Sequence, residues 1–439
     1  MFKNSIICLI FLLKSSNVLS DTIQCQYSDQ GYKIYDTSLE DYKRLTGYGC
    51  NIINISPAGL EHQIEIQGKH LKSNNDNDVT FVAFFVDETY INLEKFGSQF
   101  CEKFKNLQVV QIVRGQIREV QLDSLKNCKN LKYLDFSENE IREVSEDLLT
   151  GNTKLTQLSM QDNKLKLIPE NWLINQKDLE ELWLGSNKLK NLPTNFLKSA
   201  TKLKYLDLES NEFETLSPKM LENLQKLEIL NFGSNKISEI PQNAFNSLTN
   251  LKSLSLNDNK LHSISPGWFS NLKNLESLDL SDNMIDKIHK DDFEPLTKLE
   301  SLYINGNGIK SIDSNLFENL HNLKYLGLAE NEISELPAGV FAYLVNLEEL
   351  DLHDNQLTVI HADSFGHLKN LYKLTLQDNQ IESFDKRIID NTAIYEIDMR
   401  NNECSNEYVQ KRNRIGTKLS SCFENYEPIA DDKFLGDIF

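Results

Sequence analysis

The sequence has 439 residues, a formal net charge of −19 from 46 basic and 65 acidic residues, and 40% hydrophobic residues. Its 18 glycines and 9 prolines are too few for a collagen or a low-complexity chain. An acidic surface repels phosphate and gains nothing from counterion release, so the charge argues against binding to nucleic acid or anionic lipid.

The N-terminus has the features of a secretory signal. Lys3 precedes an apolar run, Ile6–Leu13, and small polar residues follow up to Ser20. This run is too short to span a bilayer, which needs roughly 20 residues. We therefore predict a signal peptide over 1–20, cleaved after Ser20, and a secreted protein without a membrane span. A buried N-terminal strand is the alternative.

Residues 21–106 are predicted to form an N-terminal cap. Ile64–Ile66 and Val79–Val86 have the composition of strands, and a polar loop separates them. Asn54 begins the chain's one Asn-x-Ser/Thr sequence and is the predicted glycosylation site. Pro57 follows that sequence directly, which weighs against its use.

Six cysteines remain once the signal is removed, and six cysteines allow 15 pairings. Four lie in the first third of the chain, two lie near its end, and none lies between 129 and 403. Local pairing is therefore the favoured solution, and six free thiols are the alternative that export argues against. The predicted disulfides are Cys25–Cys50, Cys101–Cys128 and Cys404–Cys422.

The dominant signal is an internal repeat of 24 residues, marked by one asparagine in each turn. Apolar residues stand eight, five and three residues before it, at positions −8, −5 and −3. Leu251, Leu254 and Leu256 hold these positions in one turn. Leu or Phe stands at +10 through the turn of Asn355. The asparagines are Asn139, Asn163, Asn187, Asn211, Asn235, Asn259, Asn283, Asn307, Asn331, Asn355, Asn379 and, after 23 residues, Asn402.

This repeat predicts a stack of short strands. Leu-x-Leu is a strand whose two leucines point inward, and the same strand of the next turn lies alongside it. The turns therefore build a parallel sheet of about 13 strands. We expect each asparagine amide to bond backbone groups of its own and the neighbouring turn, because buried polar groups need partners. The residue at +10 fills the outer core, where a turn this short leaves no room for a full helix.

The pattern Leu-x-x-Leu-x-Leu-x-x-Asn-x-Leu with Phe at +10 resembles the extracellular leucine-rich repeat family in its 24-residue class. The flanks resemble those of secreted insect leucine-rich repeat proteins, through Tyr48-Gly-Cys50-Asn, the segment 66–79 and the single Cys404…Cys422 pair. The resemblance implies an α/β-type repeat solenoid, a leucine-rich repeat horseshoe with a parallel concave β-sheet, little regular helix and disulfide-bonded caps. It also implies a concave sheet that binds proteins, without supplying the partner.

The predicted organisation has five parts. They are the signal peptide at 1–20, the N-terminal cap at 21–106, the solenoid of about 13 turns at 107–402, the C-terminal cap at 403–422 and an acidic tail at 423–439. The tail holds five acids and one lysine. It is either frayed or a short docking peptide.

The concave face is predicted from positions −6, −4 and −2 of each turn, which alternate with the buried leucines. Only Lys373 and Arg400 oppose its acids, which are Asp135, Glu181, Asp207, Glu209, Asp279, Glu349, Asp351, Glu396 and Asp398. Aromatic side chains among acids are typical of an interface hot spot. The predicted partner-binding residues are Glu181, Trp183, Tyr205, Asp207, Glu209 and Ile229, with a second cluster of Tyr303 and Tyr325. The alternative is that large residues occur at these exposed strand positions without any binding role.

The sequence contains no convincing metal, cation or phosphate site. His361 and His367 belong to the outer arc of the turn that carries His353 on its sheet face, so the three do not meet at one metal. Asp351, His353 and Asp354 fit the ordinary repeat pattern better than a cation site. Gly306-Asn-Gly308 lacks the third glycine of a phosphate loop. We predict no enzyme activity, no metal and no cofactor.

The sequence therefore predicts a secreted, non-enzymatic solenoid that presents a concave acidic face to a protein with a basic surface. Immune, cell-surface, adhesive and developmental recognition are all compatible with it. The alternative is a structural matrix or adhesive component that self-associates. The ligand and the oligomeric state are open.

Overall fold

A computed structural model describes residues 22–28, 32–36, 41–45, 48–56, 65–67, 75–85, 95–366 and 368–426. The predicted signal peptide and residues 427–439 of the tail lie outside this range. The chain divides into two compact units, residues 1–230 and 231–439, which are described in turn. The repeats form a parallel β-solenoid with little helix. No helix within the described residues has the length and apolar character needed to cross a membrane.

The first unit begins with strands that precede the repeats. It contains β1 (Thr22–Ser28), β2 (Tyr32–Asp36), β3 (Asp41–Leu45), β4 (Tyr48–Ser56), β5 (Glu65–Gln67), β6 (Val79–Phe85), β7 (Lys95–Phe96), β8 (Val109–Val113), β9 (Glu119–Val120), β10 (Tyr133–Asp135), β11 (Gln157–Ser159), β12 (Glu181–Trp183) and β13 (Tyr205–Asp207). Its helical segments are a 3₁₀ turn at Asp76–Asp78, α1 (Gln99–Lys103) and α2 (Pro218–Leu221).

The second unit continues the repeat. Strand β14 (Ile229–Asn231) spans the boundary, and β15 (Ser253–Ser255), β16 (Ser277–Asp279), β17 (Ser301–Tyr303), β18 (Tyr325–Gly327), β19 (Glu349–Asp351), β20 (Val359–Ile360), β21 (Lys373–Thr375), β22 (Ser383–Phe384), β23 (Glu396–Asp398) and β24 (Tyr408–Gln410) follow. Its helices are α3 (Lys290–Phe293), α4 (Ala362–Phe365), α5 (Arg387–Asn391), α6 (Arg412–Lys418) and α7 (Ser420–Glu424).

Strand pairing follows the sequence period. In the first unit Leu134 of β10 lies opposite Leu158 of β11, and the same offset of 24 residues continues to β13. In the second unit the register from β15 to β21 is likewise in steps of 24, with 23 at the last step to β23. Because each leucine at −5 meets the next leucine at −5, the turns within each unit share a continuous buried core.

The segment before the repeats joins the same sheet. Strand β6 pairs in parallel with β8, and β8 pairs in parallel with β10, the strand of the Asn139 turn. Strand β4 pairs in parallel with β6 and antiparallel with β1. Strands β5 and β6 fall on the two segments that the sequence predicts as strands. Sheet pairing therefore covers the first repeat, so its edge is not left open.

The repeat asparagines form buried hydrogen bonds to the backbone of their own turn and of the turn before it. Asn163 donates from Nδ2 to the carbonyl of Phe136 at 2.8 Å, one turn back, and to Met160 in its own turn at 3.1 Å. Its Oδ1 accepts the backbone N–H of Ile141 at 2.9 Å. Asn331 in the second unit makes the same set of contacts. One buried amide thus satisfies backbone groups that the short strands leave unpaired.

Each of these asparagines follows a residue in the left-handed region, which the sequence analysis did not anticipate. The residue at −1 has a φ between +49° and +60° in all twelve turns. A β-branched side chain is strained in this conformation, whereas Gly, Asn and Asp tolerate it. The sequence signal was present, since position −1 holds only Glu, Asp, Ser, Gly and Asn in these turns.

A second amide ladder runs along the exposed flank of the second unit, at position −9. Asn322 donates to the carbonyl of Thr297 at 2.8 Å, and Asn346 donates to His321 at the same distance. Asn274 and Asn370 make equivalent bonds to the preceding turn. These amides are solvated, so each contributes less to stability than a buried one.

Phenylalanines fill the outer core of the second unit. Phe245, Phe269, Phe293, Phe317, Phe341 and Phe365 stand at +10 and are all buried. The ring centroids of Phe317 and Phe341 lie 6.1 Å apart, and those of Phe341 and Phe365 lie 5.6 Å apart. This column replaces the helix that a longer repeat would pack against its sheet.

Two of the three predicted cysteine pairs are disulfides in the structure. Cys101 in α1 is bonded to Cys128 just before β10, and Cys404 is bonded to Cys422 in α7. The side chains of Cys25 and Cys50 lie outside the described residues, so their pairing stays a prediction. In the second unit, antiparallel β24 covers the edge of β23. Strand β24 therefore covers the last turn of the repeat.

We expect Asn331→Leu to lower the free energy of unfolding by about 2 to 3 kcal/mol, because it strands buried backbone groups of two turns. Asn322→Leu is the matched control on the exposed ladder, and its cost should stay below about 0.5 kcal/mol. Urea unfolding followed by circular dichroism measures both. Equal costs for the two variants would mean that burial of the inner ladder does not matter.

Candidate functional site

The candidate site is the open sheet face, which we define as the residues at positions −6, −4 and −2. Their side chains alternate with the leucines at −5 and −3, which are buried in turn after turn. Most residues at −6 are half-buried, so they line a solvated surface. The strict register aligns each position into a row that runs from one strand to the next.

In the first unit, Trp183 and Tyr205 bring two aromatic rings together on this face. Their centroids lie 5.4 Å apart at an interplanar angle of 47°. The expectation that both rings lie on a solvated surface is wrong for Trp183, which is only 9% exposed, whereas Tyr205 is half-buried. Trp183 is therefore mostly buried, and the more accessible aromatic surface is that of Tyr205.

Asp207 is a buried acid beside this aromatic pair. Its side chain is part of a residue only 5% exposed, and Oδ1 accepts the backbone N–H of Glu209 at 3.0 Å. Gly185 on the neighbouring turn leaves room for it, because a Cβ there would lie 2.8 Å from Asp207 Oδ2. Burial, with help from the charges of Glu209 and Asp162, raises the pKa of Asp207 to about 6.

The other acids and the isoleucine of this unit occupy more accessible places. Glu181 is half-buried at −6, Glu209 is exposed at −2, and Ile229 is half-buried at −6 of the following turn. Asp135 is buried, and its Oδ2 accepts hydrogen bonds from Gln111 at 2.6 Å and from Tyr133 at 3.1 Å. Glu181 and Glu209 are thus less buried than Asp135 and Asp207 on this face.

In the second unit, Tyr303 and Tyr325 form a closer aromatic pair. Their ring centroids lie 4.6 Å apart at an interplanar angle of 33°, and both residues are half-buried. Burial first, and then the charge of Asp351, raises the pKa of Tyr325 to about 12. Gly327 and Ala329 stand at −4 and −2 of the same turn as Tyr325, and both are buried. The face is therefore recessed next to the rings.

Asp351 and His353 form the far side of this recess. The Oδ1 atom of Asp351 lies 2.7 Å from His353 Nδ1 and accepts the Thr375 hydroxyl at 2.7 Å. His353 Nε2 lies 3.7 Å from a carboxylate oxygen of Glu330. Burial acts to lower the pKa of His353, but the hydrogen bond to Asp351 and the charges around it outweigh burial and raise that pKa.

Both cations of the open face are engaged with its own acids. Lys373 Nζ lies 3.3 Å from a carboxylate oxygen of Glu349, and Arg400 forms a bidentate pair with Asp398, with Nε 2.9 Å from Oδ1. The guanidinium of Arg400 also lies 5.4 Å from the centre of the Tyr408 ring. Because Lys373 and Arg400 are paired, they do not repel a basic partner as free cations would.

Three exposed tyrosines near the end of the second unit were missed by sequence reasoning. Tyr372, Tyr395 and Tyr408 are 39–53% exposed. The Tyr372 hydroxyl donates to Glu349, and this bond, more than burial, raises the pKa of Tyr372 to about 12. The signal was a change at −7, where charged residues give way to Tyr372 and Tyr395 in the last two turns.

The structure also locates most of the residues that the sequence analysis rejected as metal or phosphate sites. His361 Nδ1 lies 3.1 Å from the Tyr426 hydroxyl, and His367 lies outside the described residues. Gly306 is the left-handed residue before Asn307, as the repeat register requires. In the described part of the chain, His, Cys, Asp and Glu side chains form no group of three arranged to hold a metal ion.

Comparison with protein-family models gives the leucine rich repeat at 105–165 and over overlapping segments from 177 to 403. These segments cover well over half of the chain. The chain belongs to the leucine-rich repeat family. A search of curated protein sequences gives no match.

Solved structures share this leucine-rich repeat fold. A leucine-rich repeat protein of Leptospira interrogans is 25% identical, with a TM-score of 0.67 over 79% of this chain and 89% of that one. A chain from the Toll–Spatzle complex of Drosophila is 20% identical, with a TM-score of 0.61 over 78% of this chain and 51% of that one. A chain from an octameric complex of Latrophilin 3, Unc5D and the leucine-rich repeats of FLRT2 is 28% identical, with a TM-score of 0.52 over 57% of this chain and 76% of that one.

We expect Asp207→Asn to stabilise the protein at pH 7.5 by up to about 3 kcal/mol. The folded-state pKa of about 6 lies above the ordinary 3.8, so the folded protein loses stability as pH rises between these values. The asparagine keeps the acceptor for Glu209 N–H without the buried charge. The gain should fall below about 1 kcal/mol at pH 4, where the Asp207 carboxyl is protonated in the folded state and only partly ionised in the unfolded state. Urea unfolding at pH 4, 6 and 7.5 measures this.

Ser159→Ala, at the same position two turns earlier, is the control, since it removes no ionisable group. Its effect on the free energy of unfolding should be independent of pH. An Asp207→Asn variant that loses stability equally at every pH would show that the carboxylate has a structural role that outweighs its burial.

Proposed function

We propose that this chain is a secreted, non-enzymatic binding protein that holds a protein partner on the concave, acidic face of its repeat sheet. The observation that carries the proposal is the charge of the open sheet face. In the first unit its four acids have no cation among the same positions, and in the second unit five acids stand with two cations already engaged by two of them. A basic surface complements this face.

Accessible aromatic and acidic groups give the face its specificity. Tyr205 lies opposite Glu181 on the neighbouring strand, and Glu209 follows at −2 of the same turn. In the second unit, Tyr303 and Tyr325 lie near Asp351. Aromatic anchors surrounded by complementary charge carry most of the binding energy in many interfaces. Charge complementarity mainly speeds the capture of a partner, and salt screens it.

The structural comparisons support the same class of role. The match at 28% identity comes from a complex in which the leucine-rich repeats of FLRT2 are assembled with Latrophilin 3 and Unc5D. A binding role on a repeat sheet is therefore consistent with the family. The partner of this chain is proposed from its own surface, as a protein with a basic face. Nothing in this role calls for catalysis, a metal or a cofactor.

Several features complete the proposal. The proposal includes a signal peptide at 1–20, a glycan on Asn54 and the pair Cys25–Cys50, all of which belong to a secreted protein. The described disulfides suit an oxidising compartment. The N-terminal cap at 21–106, the solenoid at 107–402, the C-terminal cap at 403–422 and the acidic tail at 423–439 remain the proposed domain organisation.

Self-association is the second candidate function, and exposed apolar residues of the first unit favour it. Leu167 is 72% exposed, and Leu122 and Ile174 are about half exposed. None of them belongs to the open sheet face. Large exposed apolar side chains such as these are available to contact a second copy of the chain. Sedimentation velocity across a range of concentrations distinguishes the two, since self-association needs no second protein.

A capture experiment tests the leading proposal. The purified protein serves as bait in extracellular fluid from its source organism, beside Glu181→Gln/Glu209→Gln. We expect the wild type to retain a basic protein and the variant to retain about tenfold less, because two accessible charges of the face are lost. Raising the salt concentration should also weaken capture by the wild type.

The matched control is Glu143→Gln/Glu214→Gln, which removes two exposed acids of the returning segments and should capture as well as the wild type. Circular dichroism verifies that each bait is folded. If all baits retain the same protein equally, Glu181 and Glu209 do not hold it, and the proposed role of the first unit's sheet face is wrong. If the bait retains only copies of itself, self-association is the function.

A further inference from the structure

The second unit has a recess on its open sheet face that we call the tyrosine notch. It comprises Tyr303, Tyr325, Gly327, Ala329 and Asp351. In the row at −4, Gly327 lies directly between Tyr303 and Asp351, and in the row at −6, Tyr325 precedes Glu349. The two small residues form a buried floor, while the rings and Asp351 are half-buried walls.

The glycine at the floor leaves room for a close approach by a neighbouring side chain. A Cβ at Gly327 would lie 2.6 Å from Asn305 Oδ1, and this same oxygen accepts the backbone N–H of Ala329 at 2.9 Å. The Asn305 amide therefore lies against the glycine and is fixed there. The notch is a packed feature of the sheet face, held in shape without a ligand.

The polar atoms of the notch are only partly satisfied. His353 and Thr375 both contact Oδ1 of Asp351, and in the described residues Oδ2 has no hydrogen-bond partner. The hydroxyls of Tyr303 and Tyr325 likewise make no hydrogen bond to the described residues. By contrast, the Tyr372 hydroxyl donates to Glu349 and that of Tyr133 donates to Asp135. The notch thus presents three oxygen acceptors to whatever lies on the face.

The electrostatics of the notch favour a cation. Asp351, Glu349 and Asp279 all lie close enough to Tyr325 to act on its hydroxyl by charge. Lys373 compensates Glu349, which leaves the carboxylates of Asp279 and Asp351 flanking the aromatic pair. Ring faces of tyrosine attract a cation as well, an effect that grows when water is excluded.

We propose that the tyrosine notch binds an arginine side chain of the protein partner, with its guanidinium stacked on the tyrosine rings and directed to Asp351 Oδ2. A guanidinium is planar, carries five N–H donors and matches a carboxylate and ring faces together, which an ammonium does not. The inference rests on the proposed function, because it concerns how a protein partner is held on the open sheet face.

Binding of a small probe tests the notch apart from the partner. N-acetyl-arginine amide is titrated against the full chain by saturation-transfer NMR, with N-acetyl-citrulline amide as an uncharged ligand of the same shape. We expect millimolar binding of the arginine probe and about tenfold weaker binding of the citrulline probe. The lysine analogue should also bind more weakly. Equal binding of the arginine and citrulline probes would overturn the proposal.

Two variants locate the site. Asp351→Asn keeps the atoms that His353 and Thr375 contact but removes the charge, and it should weaken the arginine probe about tenfold while leaving the citrulline probe unchanged. Glu396→Gln removes an acid two turns further along the same face, and the arginine probe should bind it as it binds the wild type. Equal losses in the two variants would mean that general charge, not the notch, attracts the probe.

Protonation of His353 supplies an independent readout. Asp351, Asp354 and Glu330 are the charged groups that face this imidazole, and its protonation offsets Asp351. Arginine affinity should therefore fall as pH is lowered through the pKa of His353, and His353→Gln should remove this dependence. A pH dependence that survives in His353→Gln would contradict the assignment of Asp351 as the contact.

The probe and capture experiments fail in different ways. If the arginine probe binds with no preference for the notch while the wild-type bait still retains a basic protein, the notch proposal is wrong and the proposed function stands. If the probe binds the notch but the bait retains nothing, the arginine site exists and the proposed function is wrong.

Discussion

The structure depends on the satisfaction of backbone polar groups at the end of each short strand. A strand of three residues leaves carbonyl and N–H groups exposed to a leucine core, where an unpaired group is costly. The inner asparagine solves this within each turn and across the junction with the turn before it. The period of 24 residues, the register of the sheet and the alignment of the open sheet face all follow from placing that amide once per turn.

The left-handed residue before each asparagine is the second half of the same solution. Its positive φ turns the chain between positions −2 and the asparagine. The amide can then point into the core although the side chain at −2 belongs to the open sheet face. This backbone requirement limits position −1 to small or polar residues and leaves −6, −4 and −2 free to vary. A repeat protein can therefore change its binding surface without disturbing the hydrogen bonds that hold its turns together.

Much of the fold was predictable from the sequence, because a strict period converts one turn into all of them. Leucines at −5 and −3 and asparagines at the repeat position indicate the strands and the buried amides without further knowledge. The site was less predictable, since it depends on pairs of side chains on neighbouring strands. Position alone did not show that Trp183 is buried although it stands at −4, or that Arg400 is held by Asp398. The region before the repeats has no period to extrapolate from.

The two described disulfides have a consequence for how the molecule opens. A terminal turn has one neighbour instead of two, so in a repeat protein the ends separate first. Cys101–Cys128 ties α1 to the segment just before β10, and Cys404–Cys422 ties the segment after the last repeat asparagine to α7. The two disulfides therefore oppose the separation of turns at the ends of the repeat. A reducing environment would allow it, so the working lifetime of the protein is set by the redox state of its surroundings as well as by its core.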